Sequence, residues 1–273
     1  MEREGISFGP IRIRLPDANQ AGFSIFHDLA GVFGLEYQNE AAKALKSALK
    51  DVKPRANIDH ESDYTHITSS NPTTVVEVVK AIQRLASPEQ RASLNIDQDD
   101  LLKQLWFAKR NRPEPKKWEA GDVFSFALKD GTCAYGQVLR KSWCTCALLD
   151  KRSSEMSLSA SEIRAARVVS LLHILGDQLN NGAWTVLFNH PLLADPDSGH
   201  GGRFPGIGSI SYGGGGSLEE LANAYWGLTP WNVKYKEDYF DGMLQPGITR
   251  PDHAIVLSQE DRRAYRLKHF GVE

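Results

Sequence analysis

The run DVFSFALKDGTCAYGQVLRKSWCTCALLD, residues 122–150, constrains the chain most, because Lys129-Asp130-Gly131 stands between two β-rich stretches. An Asp-Gly pair accepts the positive φ angles of a tight hairpin turn, so Val123, Phe124, Phe126 and Leu128 are set antiparallel to Tyr135, Val138 and Leu139. A third run, Trp143 to Leu149, extends the pair into a meander that is expected to curl toward a small barrel. ARVVSLLHIL and AWTVLFNHPL read as further strands, the first also admitting a buried helix, since periodicity does not decide short apolar runs. The second half of the chain is therefore expected to be β-rich.

The first half alternates periods. In ISFGPIRIRL, Ile11, Ile13 and Leu15 alternate with Arg12 and Arg14, the period of a half-buried strand. EYQNEAAKALKSALKDV repeats apolar residues at three and four residue steps and stops before Pro54, which predicts a surface helix over 37–52. ANIDHES and DYTHITS read as short strands. NPTTVVEVVKAIQRLAS opens on Asn-Pro-Thr and lines up Val75, Val79, Ile82 and Leu85 on one face, a second helix. These elements make a small α+β layer domain over residues 1–88. A connecting helix is expected over 89–113, capped by Asp97, with Leu101, Leu102, Leu105 and Trp106 as its apolar patch. The charged, proline-rich RPEPKKWEAGD marks the boundary of a β-rich domain over 114–273, making the fold class α+β.

At 273 residues, 41% hydrophobic and 24% charged, the chain can form two real cores. A net charge of -2 provides no global basic field, which disfavours nucleic acid as the partner. No apolar stretch has membrane length, and MEREGISFGP lacks the order of a secretory signal, so a cytoplasmic location is expected. Cys133, Cys144 and Cys146 form no disulfide framework. Cys144 and Cys146 would face the same side of a strand and are read as small packing residues.

Residues 195–217 contain nine glycines and no periodic pattern, which predicts a long loop. SLEELANAYWG then offers Ser217 as a cap and Gly227 as a stop for a short helix. That helix delivers Tyr225 and Trp226 into a dense aromatic segment in which Trp231, Tyr235, Tyr239 and Phe240 follow within sixteen positions. Rings at that density build either a core wrapped by turns or a surface that grips a partner. Pro230-Trp231 is expected to fix a turn that presents one ring.

Three motifs, GDVFSFALKDGTCAYGQVL at 121–139, GAWTVLFNHPL at 182–192 and AYWGLTPWNVKYKEDYFDGMLQPGITRP at 224–251, together resemble the immunity protein 26 family of bacterial polymorphic toxin systems. IDHESDYTHITSSN before a helix resembles the small immunity protein 51 family. The resemblance implies a non-enzymatic inhibitor, without cofactor, that blocks a cognate toxin domain, with a surface suited to a nuclease. Between Ser217 and Asp252 stand six acids, Glu219, Glu220, Glu237, Asp238, Asp241 and Asp252, against three bases, Lys234, Lys236 and Arg250. Local acidity of that kind speeds encounter with a basic cleft. The residues expected to touch the toxin are Trp226, Trp231, Asn232, Tyr235, Glu237, Asp238 and Tyr239, with Arg203 and Phe204 of the glycine loop behind them.

The alternative is a metal-assisted hydrolase, because a phosphotriesterase has been named with the same family. His190, Asp195, Asp197 and His200 are residue types that suit zinc or manganese, but their spacing matches no established ligand pattern. His60, Glu61, Asp63 and His66 do not converge on an extended strand and read as a solvated hairpin. No G-x-S-x-G elbow and no phosphate-binding glycine motif occurs.

Overall fold

The structure is a computed structural model that describes residues 5–142, 144–198 and 215–272. The chain divides into two compact units, Met1–Glu114 and Pro115–Glu273, with the division inside RPEPKKWEAGD. Both are mixed α+β, each built on one antiparallel five-stranded sheet.

The first unit comprises β1 (Gly5–Phe8), β2 (Ile11–Arg14), β3 (Phe23–His27), α1 (Leu29–Phe33), α2 (Gln38–Ala48), β4 (Asn57–His60), β5 (Thr65–Ser69), α3 (Pro72–Leu85), α4 (Pro88–Arg91) and α5 (Gln98–Arg110). Its sheet order is β1-β2-β3-β5-β4. ISFGPIRIRL is two strands, because Gly9 takes a φ of 60° at the first position of a two-residue turn that pairs Phe8 with Ile11. Asn71 caps α3 by accepting from the Thr74 backbone, with Pro72 at the first helical position. Asp97 caps α5 in the same way. Ile11, Ile13, Phe23, Ile25, Ile58 and Ile67 form one buried sheet face against α2, α3 and α5. Residues 89–113, expected as a connector, contribute Leu94, Leu101 and Leu105 to this same core.

The second unit comprises β6 (Asp122–Ala127), β7 (Cys133–Arg140), β8 (Thr145–Ser153), α6 (Ala160–Arg164), β9 (Val168–His173), α7 (Asp177–Asn180), β10 (Thr185–Asn189), α8 (Gly215–Tyr225) and α9 (Gln259–Phe270). The hairpin turns at Gly131, φ 83°, and the sheet order is β10-β6-β7-β8-β9. The barrel expectation is corrected here, since β9 and β10 remain separate edges. The outer edge of β9 is taken instead by residues 244–245, through a Ser170–Leu244 bridge and the Gln245 N–H donating to Val169.

Both faces of this sheet are covered, so β7 is buried along nearly its whole length rather than in alternation. Phe124, Phe126, Val138, Cys146 and Leu148 pack beneath Leu218, Leu221 and Ala222 of α8. Val123, Tyr135, Leu139, Ala147, Leu149 and Leu171 form a smaller core with Ile163 of α6. Trp184 stacks on Phe124 at 4.7 Å and donates its indole N–H to Glu219, which ties β10 to α8. Among the described residues no helix is long and apolar enough to cross a membrane.

Candidate partner-binding site

Helix α8 begins at Gly215, so Ser217 lies inside it rather than capping it. The chain leaves α8 at Gly227, φ 68°, where a side chain would meet the His253 carbonyl at 3.0 Å. The aromatic segment that follows is almost free of regular structure, and its shape is held by a set of hydrogen-bonded clasps.

Trp231 is 0% exposed. Its backbone N–H donates to Ile255 and its indole N–H to Asp241. Arg250 grips the same carboxylate with two nitrogens, at 2.6 and 3.2 Å, and lies over the Trp231 ring. Burial by itself would raise the pKa of Asp241; the hydrogen bonds from Arg250 and Trp231, with the charge of Arg250, outweigh it and hold the carboxyl below its ordinary value. Asn232 is also buried, and its side-chain amide exchanges two hydrogen bonds of 2.9 Å with the Leu257 backbone. From α9, Arg262 donates to the carbonyls of Asn232 and Lys234, and Arg266 to that of Val233. The backbone of 231–235 is thereby fixed from three sides.

The rings form a ladder. Trp231 meets Phe240 edge-on at 5.5 Å, Phe240 meets Tyr239 at 5.5 Å, and Tyr239 meets Tyr235 at 5.3 Å. Exposure rises along it from Trp231 to Tyr235, which is 69% exposed. Glu237 and Asp238 are exposed beside Tyr235, as are Ile255 and Val256 next to the strand-like pairing with Trp231 and Asn232. Behind the loop a cleft of about 550 Å³ is lined by Asn223, Val233, Lys234, Phe240, Tyr265 and Phe270.

Burial divides the expected contact set. Trp231 and Asn232 are structural anchors, the first because its ring fills the core and the second because its amide replaces a backbone partner. The Trp231 ring, expected to be presented by its turn, points inward. Tyr235, Glu237 and Asp238 are exposed, and Tyr239 half-buried. Trp226 stands apart from this ladder: its ring contacts are Tyr225, His253 and Arg152. Arg203 and Phe204 lie outside the described residues.

The acid count also changes meaning. Glu220 pairs with Lys234 at 2.7 Å, Asp241 with Arg250, and Glu237 lies 3.9 Å from Arg262, while Glu219 accepts from Trp184. Asp238 and Asp252 are the two of the six without such a partner among the described residues. Arg262 and Arg266 lie beyond the interval in which the acids were counted, yet fold back onto it. Helix α9 itself went unread, although Ser258-x-x-Asp261 and Gly271 are the ordinary signals of its two ends.

In the 190–200 loop, His190 contacts the Pro191 carbonyl through Nδ1, Asp195 accepts from the Asp197 backbone, and Asp197 pairs with Arg140 at 2.6 Å. His200 is outside the described residues, among which no three His, Cys, Asp or Glu side chains cluster to hold a metal. Gln137, fully buried, pins the loop by donating to the carbonyls of Gly121, His190 and Pro191 and accepting from Leu193. Of the other polar group, His66 stacks on Phe26 at 3.9 Å and pairs across the sheet with Asp59, whereas His60 is exposed.

No protein-family model, no curated protein and no solved structure matches this chain.

Proposed function

We propose that the chain is a non-enzymatic immunity-type inhibitor that binds a cognate toxin domain, of nuclease type, through the outer end of the aromatic ladder. The observation that carries this reading is an exposed Tyr235 on a backbone held by hydrogen-bonded clasps. A large amphipathic ring already fixed in place loses little freedom on binding, which is what makes tyrosine an efficient anchor. Glu237 and Asp238 flank it as a rim that favours a basic cleft, and Ile255 and Val256 add apolar area. Trp231 and Asn232 serve this face indirectly, by holding its backbone.

Calorimetric titration with the toxin domain encoded beside the gene tests the proposal. One-to-one binding that weakens in Tyr235→Ala and Asp238→Lys, with folding intact, supports it. Unchanged binding in both variants removes this face from the assignment. Equimolar zinc or manganese in protein purified without chelator would instead favour the hydrolase reading of the 190–200 loop.

A further inference from the structure

Cys144 and Cys146 belong to one buried core and stand where β7 turns into β8. The turn that joins β7 to β8 closes with the Cys144 N–H donating to Lys141, and Cys144 takes a φ of 35°. Among the described residues it is the one non-glycine residue with positive φ. A side chain bears that conformation only where the surroundings impose it, and such outliers concentrate at sites that use the resulting geometry. Here the kink sets the Cys144 sulfur 3.9 Å from the Cys146 sulfur on the same side of the sheet. Cys133 belongs to the core on the opposite face and does not compete.

The two thiols are unequal. Cys144 is 5% exposed at the end of a turn, and Cys146 is 0% exposed beneath it. The hydrogen bond from Cys146 lowers the pKa of the Cys144 thiol, against the opposing effects of burial and Asp177. Burial raises the pKa of Cys146 well above its ordinary value, so its thiol stays protonated. An attacking sulfur at the end of a turn with a second, protonated sulfur in reach is the arrangement of a reactive and a resolving cysteine.

We propose that Cys144 and Cys146 are a reversible redox pair, in which a hydroperoxide oxidises Cys144 and Cys146 then closes an intrachain disulfide across Thr145. The Cys144 thiolate attacks one peroxide oxygen, the O–O bond breaks, and Cys144 becomes a sulfenic acid while alcohol or water leaves. The Cys146 sulfur attacks the sulfenic sulfur, loses its proton and expels water. Two thiols and one hydroperoxide thus give one disulfide, one alcohol or water from the peroxide, and one water. Closure brings the sulfurs from 3.9 Å to about 2.05 Å, a movement that falls on the kinked residue. The ring spans a single intervening residue, and strained disulfides of this kind are the easily reduced ones.

The local contacts supply a reporter. A Cβ on Gly176 would lie 2.8 Å from the Trp118 ring and 3.4 Å from the Cys144 sulfur, so both border the same bare glycine. The Lys141 ammonium of the turn sits over that ring at 5.3 Å. Thr145, the residue inside the disulfide ring, is hydrogen-bonded to His173.

The test is peptide mass mapping of the whole folded protein, without reductant, after brief exposure to hydrogen peroxide. Loss of two hydrogens in the peptide holding Cys144 and Cys146, also in Cys133→Ser, with restoration by dithiothreitol and a reversible change in tryptophan emission, is expected. In Cys146→Ala, Cys144 should instead accumulate as a sulfenic acid captured by dimedone. Three free thiols in the folded protein, under conditions that oxidise it when unfolded, overturn the proposal. So does over-oxidation of Cys144 with no link to Cys146. The wild-type mapping decides the matter even if Cys146→Ala does not fold.

Discussion

At the scale of single residues, the two ends of the aromatic ladder should answer mutation in opposite ways. Trp231→Ala empties a fully buried site and should destabilise the second unit by about 3–5 kcal/mol in denaturant titration, so loss of binding in that variant would say nothing about contact. Tyr235→Ala removes an exposed ring; its folding free energy should stay within about 0.5 kcal/mol of wild type, while affinity for the toxin domain falls at least ~30-fold, as for a truncated hot-spot residue. A melting loss in Tyr235→Ala as large as in Trp231→Ala would contradict this division. The density of rings was visible in the sequence. Which ring is buried was not, because it depends on Asp241, Arg250 and Ile255, whose approach to Trp231 is a matter of tertiary packing rather than spacing.

At the scale of elements, α9 matters by what it reaches rather than by what it buries, since none of its residues is buried. Arg262→Ala leaves the carbonyls of Asn232 and Lys234 without that donor, and amide exchange at 232–237 should quicken while exchange in β6–β8 stays slow. Equal rates in the two proteins would mean that the loop holds its shape without the helix. Elements with a complete local signature were legible in the sequence: α2 from its period, α3 from Asn71-Pro72, α5 from Asp97, and the β6–β7 hairpin from Asp130-Gly131. The β1–β2 hairpin is hidden in a single apolar–polar alternation unless the change of step at Gly9-Pro10 is followed, from even positions at Ile6 and Phe8 to odd ones at Ile11 and Ile13. The open sheet of the second unit was not legible as such, because the closing of an edge by residues 244–245 is a long-range pairing that no local pattern announces.

For the whole molecule, acid should act in two stages. His27, His66 and His173 each have a lowered pKa, with burial the leading cause. Their folded forms favour neutral imidazole, so the stability they carry is complete above the ordinary histidine value of 6.5 and declines as pH falls below it. Asp241 is also lowered, so its contribution is complete above 3.8 and lost as pH drops from there through its folded value. The melting temperature should therefore begin to fall between pH 7 and pH 5, less in His66→Gln, and fall again in the second unit near pH 3. A flat profile from pH 7 to pH 4 would refute the histidine stage. Since each unit has its own core, fragments 1–114 and 115–273 should each give a cooperative melt by circular dichroism; an unfolded spectrum for either would show that it depends on the other.

The Tyr235–Tyr239–Phe240–Trp231 ladder has an optical consequence. Tyrosine excitation passes readily to a nearby indole, and here two phenols stand at the surface end of a column whose inner end is an indole shielded from water. Light absorbed at Tyr235 should thus emerge from Trp231, so that a ligand settling on the outermost ring dims or shifts emission from the interior, and the protein signals occupancy of its own surface without a dye.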